Sequence, residues 1–144
     1  MADDDAEGRP AIGFFNQLVT TTKDEQGKKI DIKRNGLRII ADAARIFALQ
    51  NGIAVQNTTE RMTSLVRVGK LSGDFSASVR EAYEELVDLL LSHQLRQARR
   101  GKTLDKLVDP ASLSEQSRAT LRMAMRAVKR FQDRLADDYA TNIF

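Results

Sequence analysis

The sequence predicts an all-α fold, an up-and-down bundle of four main helices preceded by a short N-terminal helix or extended hairpin segment. From residue 36 onward, apolar residues recur at spacings of three and four, which is the spacing of one helix face. Capping residues, glycines and a proline punctuate this pattern into four segments. The connections between them are short or medium, so we expect neighbouring helices to pack antiparallel.

The first ten residues, MADDDAEGRP, differ from the rest in composition. They contain four acidic side chains and one basic, so residues 11–144 carry 22 basic and 16 acidic side chains, a net charge of +6. We therefore predict a disordered acidic leader over residues 1–10 and one modestly basic helical-bundle domain over residues 11–144.

The segment after the leader is the least regular part of the sequence. AIGFFNQLVTTT is apolar and then β-branched, KDEQGK is rich in turn formers, and KKIDIK alternates between apolar and polar residues. This order favours a short helix or extended segment followed by a small hairpin. Asn35-Gly36 is typical of a turn, which would let the chain bend into the first main helix.

The first two main helices have clear boundaries. The first is predicted from about Gly36 to Gln50, where Asn51-Gly52 provides a C-terminal stop. The second begins after Asn57, because Asn57 with Glu60 has the spacing of a capping box. Gly69 is predicted to end it. Its inward-facing apolar residues are Met62, Leu65, Val66 and Leu71.

The last two main helices are longer. The third is predicted from about Ser76 to Arg100, with Val79, Tyr83, Leu86 and Leu90 directed inward. The fourth starts after Pro110, with Ser112 or Ser114 as its cap. Its apolar stripe is close to a heptad and comprises Leu121, Met125, Val128, Phe131 (or Gln132), Leu135 and Tyr139.

Composition excludes several classes of site. The chain has no cysteine, so it can form neither a disulfide framework nor a thiolate metal site. Its single histidine, His93, makes a zinc-type catalytic site improbable. No apolar run reaches the roughly 18 residues of a membrane helix. We expect a cytoplasmic protein that does not enter the membrane.

Enzyme motifs are missing as well. The sequence has no phosphate-binding P-loop, no Gly-rich dinucleotide turn, no helical His or Glu-His ligand pair and no nucleophile elbow. Asp3 and Asp5 have the spacing of a metal-binding pair, but no strand is predicted to position them. We therefore predict no catalytic residue and no metal site in this chain.

Charged residues along the first helix have two interpretations. Arg38, Asp42 and Arg45 follow one another at spacings of four and three, on a stripe that adjoins the predicted buried face. They could form ordinary surface ion pairs, each worth a few tenths of a kcal/mol. Alternatively, Asp42 orients two guanidinium groups that bind phosphate or carboxylate in forked geometry.

Two further groups have the same ambiguity. His93 lies at the border of the core face of the third helix, where a histidine is either a hydrogen-bonded core-edge residue or a polar group of a pocket. On the fourth helix Arg122, Arg126 and Lys129 share a face, which is either solvated or directed at phosphates.

Four stretches together resemble a known helical family. DIKRNGLRIIADAARIFAL, NTTERM, SHQLRQARRGKTLDKLVDPASLS and AVKRFQ occur in an order similar to that of the substrate-binding domain at the C-terminus of bacterial nucleotidyltransferases, which often carry CBS and cyclic-nucleotide-binding modules. The first stretch is also similar to a segment of the uridylyltransferases and adenylyltransferases of nitrogen regulation. This sequence has Asn35 where that segment has a glycine.

The resemblance implies a non-catalytic substrate-binding module in signal transduction. The nucleotidyltransferase catalytic domain, with its nucleoside triphosphate and Mg²⁺, would lie upstream in the same polypeptide, and a protein or nucleotide would be the substrate. Lys33 and Arg38 would contact anionic groups, and Asp42 would orient Arg38 and Arg45. The residues at family-like positions that we predict to bind substrate are Lys33, Arg34, Arg38, Asp42, Arg45, Arg61, His93, Gln94 and Lys129.

The sequence leaves two alternatives to substrate binding. One is a structural or homodimerisation module that relays signals from sensory domains without binding a ligand. The other is nucleic-acid binding through the basic edge from Arg122 to Arg130. The small net charge and the lack of aromatic residues on that face argue against the second rival.

Overall fold

A computed structural model describes residues 29–143 of the chain, with side chains described as far as Thr141. The predicted leader and the upstream part of the predicted hairpin segment lie outside the described residues. The elements in chain order are β1 (Ile30–Asp31), a π-helical turn (Lys33–Leu37), α1 (Arg38–Gln50), α2 (Thr58–Arg67), α3 (Gly73–Arg99), β2 (Leu107–Val108), a 3-10 turn (Pro110–Ser112) and α4 (Glu115–Ile143).

The four helices form one bundle. α1 contacts α2 and α4, and α3 contacts the same two helices, so the contacts close into a ring of four. This arrangement confirms the predicted all-α bundle. α3 and α4 contain 27 and 29 residues against 13 in α1 and 10 in α2, so the two long helices extend beyond the two short ones. Within residues 29–143, no helix combines the length and apolar character that crossing a membrane requires.

Side-chain caps fix where the helices begin. Asn57 Oδ1 accepts a hydrogen bond from the Glu60 amide at 2.8 Å, so the cap predicted for α2 is confirmed. Of the two serines predicted for α4, it is Ser114 whose Oγ accepts from the Ser117 amide, at 3.0 Å. α3 begins three residues earlier than predicted, because Ser72 Oγ accepts from the Phe75 amide at 3.0 Å.

Aromatic rings join the helices at the centre of the core. The ring of Phe131 on α4 lies 6.4 Å from that of Phe47 on α1 and 6.2 Å from that of Phe75 on α3. Phe47 and Phe131 are completely buried. Arg134 on α4 places its guanidinium 5.4 Å from the Phe47 ring centroid and donates to the Lys70 carbonyl oxygen at 2.6 Å. The predicted α4 stripe is thus largely confirmed, except that Tyr139 is exposed.

The expected turn at Asn35-Gly36 was wrong, because both residues are buried inside the π-helical turn that leads directly into α1. The reason is a close contact between helices. A β-carbon on Gly36 would lie 2.8 Å from Leu86 Cδ1 of α3. Gly36 is therefore needed for close packing of the π-helical turn against α3, which sequence spacing alone does not indicate.

The short strands correct the hairpin prediction for the residues that are described. β1 does pair antiparallel, but with β2, in the register Ile30 with Val108 and Asp31 with Leu107. The Ile32 amide extends the pairing by donating to the Lys106 carbonyl oxygen at 2.9 Å. Ile32 and Val108 are both buried, so this small sheet is part of the bundle core.

Candidate functional site

Three arginines lie along the outer face of α1 and the turn before it. Arg34, Arg38 and Arg45 are all exposed, and their spacing of four and then seven residues places them on the same side. We call them the outer arginine row. Asp42 lies among them and pairs with Arg45, with Oδ1 and Nη2 3.5 Å apart and each side chain about half exposed.

This geometry corrects one detail of the sequence interpretation. The row lies opposite the buried face of α1, which consists of residues such as Ile40, Ala44 and Phe47, and not beside it. Asp42 pairs with Arg45 alone, since no carboxylate of residues 29–141 comes within 4.0 Å of the Arg38 guanidinium. Arg34 and Arg38 consequently expose guanidinium groups that no described carboxylate neutralises.

Lys33 belongs to the same end of α1. It is exposed on the π-helical turn, immediately before Arg34. Asp31 Oδ1 accepts a hydrogen bond from the Arg34 amide at 2.8 Å, which fixes the turn to the end of β1. The basic residues at positions 33, 34 and 38 are therefore held on a rigid connection between β1 and α1.

His93 and Gln94 lie elsewhere and hold a loop. His93 Nε2 is 2.8 Å from Asp105 Oδ1, and Gln94 Nε2 donates to the Asp105 carbonyl oxygen at 2.9 Å. Gln97 Oε1 accepts from the Asp105 amide at 3.0 Å. These four residues form what we call the Asp105 clamp. It fastens the segment before β2 to α3.

The hydrogen bond from His93 lowers the pKa of Asp105 from its ordinary value of 3.8, and the Leu107 amide and Gln97 act in the same direction. Partial burial of the Asp105 carboxyl raises its pKa and so opposes these three effects. The sequence left His93 as either a hydrogen-bonded core-edge residue or a polar group of a pocket, and it did not indicate Asp105, which is the partner that His93 and Gln94 share.

We expect Asp105→Ala to loosen the small sheet. The Ile32 amide, which donates to Lys106 next to Asp105, should exchange its hydrogen at least about tenfold faster, as expected when roughly 1.4 kcal/mol of local protection is lost. Hydrogen exchange measured by NMR provides the test. Exposed Asp137→Ala on α4 is the control.

The pH dependence gives a second check on the same clamp. Because the pKa of Asp105 is lower in the folded chain, its stabilising contribution is complete above pH 3.8 and is lost as pH falls through the lowered value. Protection of the Ile32 amide should therefore be constant above pH 3.8, after correction for intrinsic exchange, and decline only below it. An unchanged rate in Asp105→Ala would contradict the clamp.

The other two predicted site residues make local contacts. Arg61 Nε donates to the Val55 carbonyl oxygen at 3.1 Å and so fixes the loop before α2. Lys129 on α4 pairs with Asp133 one turn later, with Nζ and Oδ2 3.3 Å apart. The structure therefore groups Lys33 and the outer row, and it assigns Arg61, His93 and Gln94 to contacts that hold loops in position.

A cavity of about 680 Å³ opens between α1, the start of α2 and the first half of α3. Sequence reasoning missed it, although Arg80 and Tyr83 stand one turn apart on α3. We call it the α3 cavity. Its lining comprises Ile40, Gln56, Asn57, Thr58, Thr59, Glu60, Met62, Val79, Arg80, Tyr83 and Glu84.

Among residues 29–141, no group of three or more histidine, aspartate or glutamate side chains is arranged to hold a metal ion.

Comparison with known proteins identifies a family for this chain. The model of a family described as "Putative nucleotidyltransferase substrate binding domain" matches residues 1–139. No curated protein and no solved structure matches the chain.

Proposed function

The chain belongs to the family of nucleotidyltransferase substrate-binding domains, and from this premise we propose that it holds the acceptor substrate for a catalytic domain in the same polypeptide. In this proposal the catalytic domain carries the nucleoside triphosphate and Mg²⁺ and transfers a uridylyl or adenylyl group. The described domain contributes binding and orientation, in a signal-transduction enzyme.

The observation that carries this proposal is the outer arginine row. Arg34 and Arg38 stand one turn apart, exposed, with no described carboxylate within 4.0 Å. Guanidinium groups bind phosphate and carboxylate in forked pairs, and two on successive turns can bind one extended anionic surface. Asp42 pairs with the third member, Arg45, on the same face.

Position along the chain supports α1 over the other basic helix. The row begins three residues after β1. In the uridylyltransferases and adenylyltransferases that this stretch resembles, a strand-like segment leads from the catalytic domain into the helical domain, so we expect the row to face the catalytic domain. The π-helical turn and the pairing of β1 with β2 give this end a fixed geometry. Arg122 and Arg126 on α4 are also exposed at a spacing of four but lie well away from β1 in the sequence.

Substitution of the row should weaken acceptor binding in nucleotidyl transfer by the full polypeptide. We expect Arg38→Ala and Arg45→Ala each to raise KM for the acceptor about tenfold, since a charge-assisted hydrogen bond contributes roughly 1.5–3 kcal/mol. The kcat should change little, because these residues do not touch the reacting atoms. Steady-state kinetics at varied acceptor concentration would measure both constants.

Arg126→Ala is the matched control, an exposed arginine on a different helix, and should behave as wild type. Unchanged KM in both row variants would overturn the proposal. If the chain then also sedimented as a stable dimer, the relay function would replace substrate binding.

A further inference from the structure

Four leucines at one end of the bundle are largely exposed. Leu91 and Leu95 stand one turn apart on α3 and are 58% and 51% exposed. Leu104, in the loop after α3, and Leu107, in β2, are 52% and 39% exposed. We call these four residues the leucine patch. A group of exposed apolar side chains of this kind is typical of an interaction surface.

The Asp105 clamp brings the two pairs of leucines to one place. Its aspartate lies between the second pair in the sequence, and the three α3 residues that it binds are on the same turns as Leu91 and Leu95, or on the next turn. The core does not reach these turns, since Leu86 is the last buried residue of α3. The leucine patch is therefore a fixed surface on the part of α3 that extends past the core.

The described chain begins beside this patch. Lys29 precedes β1, and Asp31 of β1 pairs with Leu107 of the patch. Residues 1–28, which lie outside the described residues, therefore join the bundle at the leucine patch. The family model that matches the chain starts at residue 1, so these residues are part of the same family unit as the bundle.

Residues 12–19 have the composition that such a surface requires, because they carry no charged side chain. Their apolar residues are Ile12, Phe14, Phe15, Leu18 and Val19. Residues 20–28 connect them to Lys29, and a connection of this length can span up to about 30 Å. From Leu91 to Arg99, α3 rises by only about 12 Å. The apolar segment can therefore reach the whole leucine patch.

Charge follows the apolar residues in the same order on the bundle and in residues 1–19. At the end of α3, beyond the patch, three basic residues are exposed, and no carboxylate of residues 29–141 lies within 4.0 Å of them. We call Arg99, Arg100 and Lys102 the basic tip. Residues 3–9, on the far side of the apolar segment from β1, contain four acidic side chains and one basic. The two sequences of apolar and charged groups are thus complementary.

We propose that residues 12–19 dock on the leucine patch of their own chain and that the acidic residues before them lie against the basic tip. Docking removes two phenylalanine rings and four leucines from water. A segment tethered this closely has an effective concentration of about millimolar at the patch, so a second copy of the chain competes only near that concentration. The patch is separate from the outer arginine row on α1, and the proposal does not depend on the proposed function.

Paramagnetic relaxation in the full 144-residue chain tests the proposal. A nitroxide is attached at Gln17→Cys, a polar position within the segment, and the chain has no native cysteine that could also take the label. The methyl signals of the leucine patch should lose most of their intensity. Leu49 is the matched control, because it is 62% exposed and lies in the last turn of α1, whereas β1 adjoins the first. Full intensity at the patch would overturn the proposal.

Substitutions within the segment test the apolar part of the contact. Phe14→Ser combined with Phe15→Ser should weaken docking at least about tenfold, because two large apolar side chains are lost. Asn16→Ser lies between the same neighbours in the segment but removes no apolar group, so docking should be unchanged. Equal signal loss in the two variants would contradict docking through the phenylalanines.

The basic tip is tested by removing charge. Arg99→Gln combined with Lys102→Gln should weaken docking about threefold at low salt, since exposed ion pairs each contribute modestly. Arg122→Gln combined with Arg126→Gln removes the same charge from exposed positions on α4 and should have no effect. If both pairs of substitutions leave docking unchanged, the acidic residues do not lie against the basic tip.

A mixed sample distinguishes the chain's own segment from that of a second copy. Chains that carry the nitroxide but no isotope are mixed with isotope-labelled chains that carry no nitroxide. At concentrations well below millimolar, the leucine patch should keep its full signal in this sample. Loss of signal there would mean that a second copy occupies the patch, and it would overturn docking within one chain.

Discussion

Phe131→Ala should reduce the free energy of unfolding by about 3–5 kcal/mol, which is the usual cost of removing a buried phenylalanine ring. Phe131 is completely buried, and its ring contacts the rings of Phe47 on α1 and Phe75 on α3. Removing it takes contacts from three helices at once and leaves a cavity that these helices cannot readily fill. The melting temperature should fall by about 10 °C or more.

Urea unfolding followed by circular dichroism would measure this loss. Met123→Ala on the same helix is the matched control, because Met123 is 65% exposed and should change stability by less than about 0.5 kcal/mol. The free energy of unfolding of Phe131→Leu should lie between those of Phe131→Ala and Met123→Ala. Equal stability of Phe131→Ala and Met123→Ala would contradict the central position given to Phe131.

Gly36→Val should reduce the free energy of unfolding by about 1–3 kcal/mol, which is the second largest loss that we expect. The new β-carbon would lie 2.8 Å from Leu86 Cδ1, and Leu86 is completely buried, so its side chain has little room to move. The two γ-methyl groups of valine would add to the overlap. The π-helical turn would have to shift away from α3, carrying Arg34 and the start of α1 with Arg38.

Gly73→Val provides the control for this substitution. Gly73 begins α3, and a β-carbon there would have no atom within 4 Å. The stability of Gly73→Val should remain near that of the wild type, as measured by thermal unfolding. Gly36→Ala should be milder than Gly36→Val, because it adds one methyl group and a better helix former. If Gly36→Val and Gly73→Val unfold at the same temperature, the packing of the π-helical turn against α3 does not depend on Gly36.

The helices were predictable because their signals are local. Asn57 and Ser114 cap α2 and α4 through bonds to amides three residues later, and the sequence displays that spacing directly. Burial of Met62, Val79 and Leu86 follows from helical periodicity in the same way. Prediction was less precise at the start of α3, where the Ser72 cap was overlooked.

The π-helical turn and the small sheet were not predictable, because their causes are distant in the sequence. Asn35-Gly36 has the composition of a turn, and only the contact with Leu86 explains a helical glycine there. The partner of β1 is β2, far along the chain, and no local pattern identifies two paired residues at such a separation.

For the site, too, features that depend on local spacing were predicted and contacts between distant residues were not. The exposed arginines of α1 were identified from their spacing, although their position relative to the core was misjudged. His93 was expected to be polar and hydrogen-bonded, but its partner Asp105 lies beyond the end of α3. Arg80 was not predicted as a site residue, because the sequence of a single helix does not reveal the cavity that Arg80 lines.

The pairing of β1 with β2 also affects the order of folding. Ile30 pairs with Val108 only after a loop that contains α1, α2 and α3 has closed. Closing a long loop costs conformational entropy before the contacts between its ends can offset that cost. The helices can form and begin to pack from local contacts before that closure. During synthesis, therefore, the pairing that holds β1 and the turn after it against the bundle can form only after residue 108 has been added to the chain.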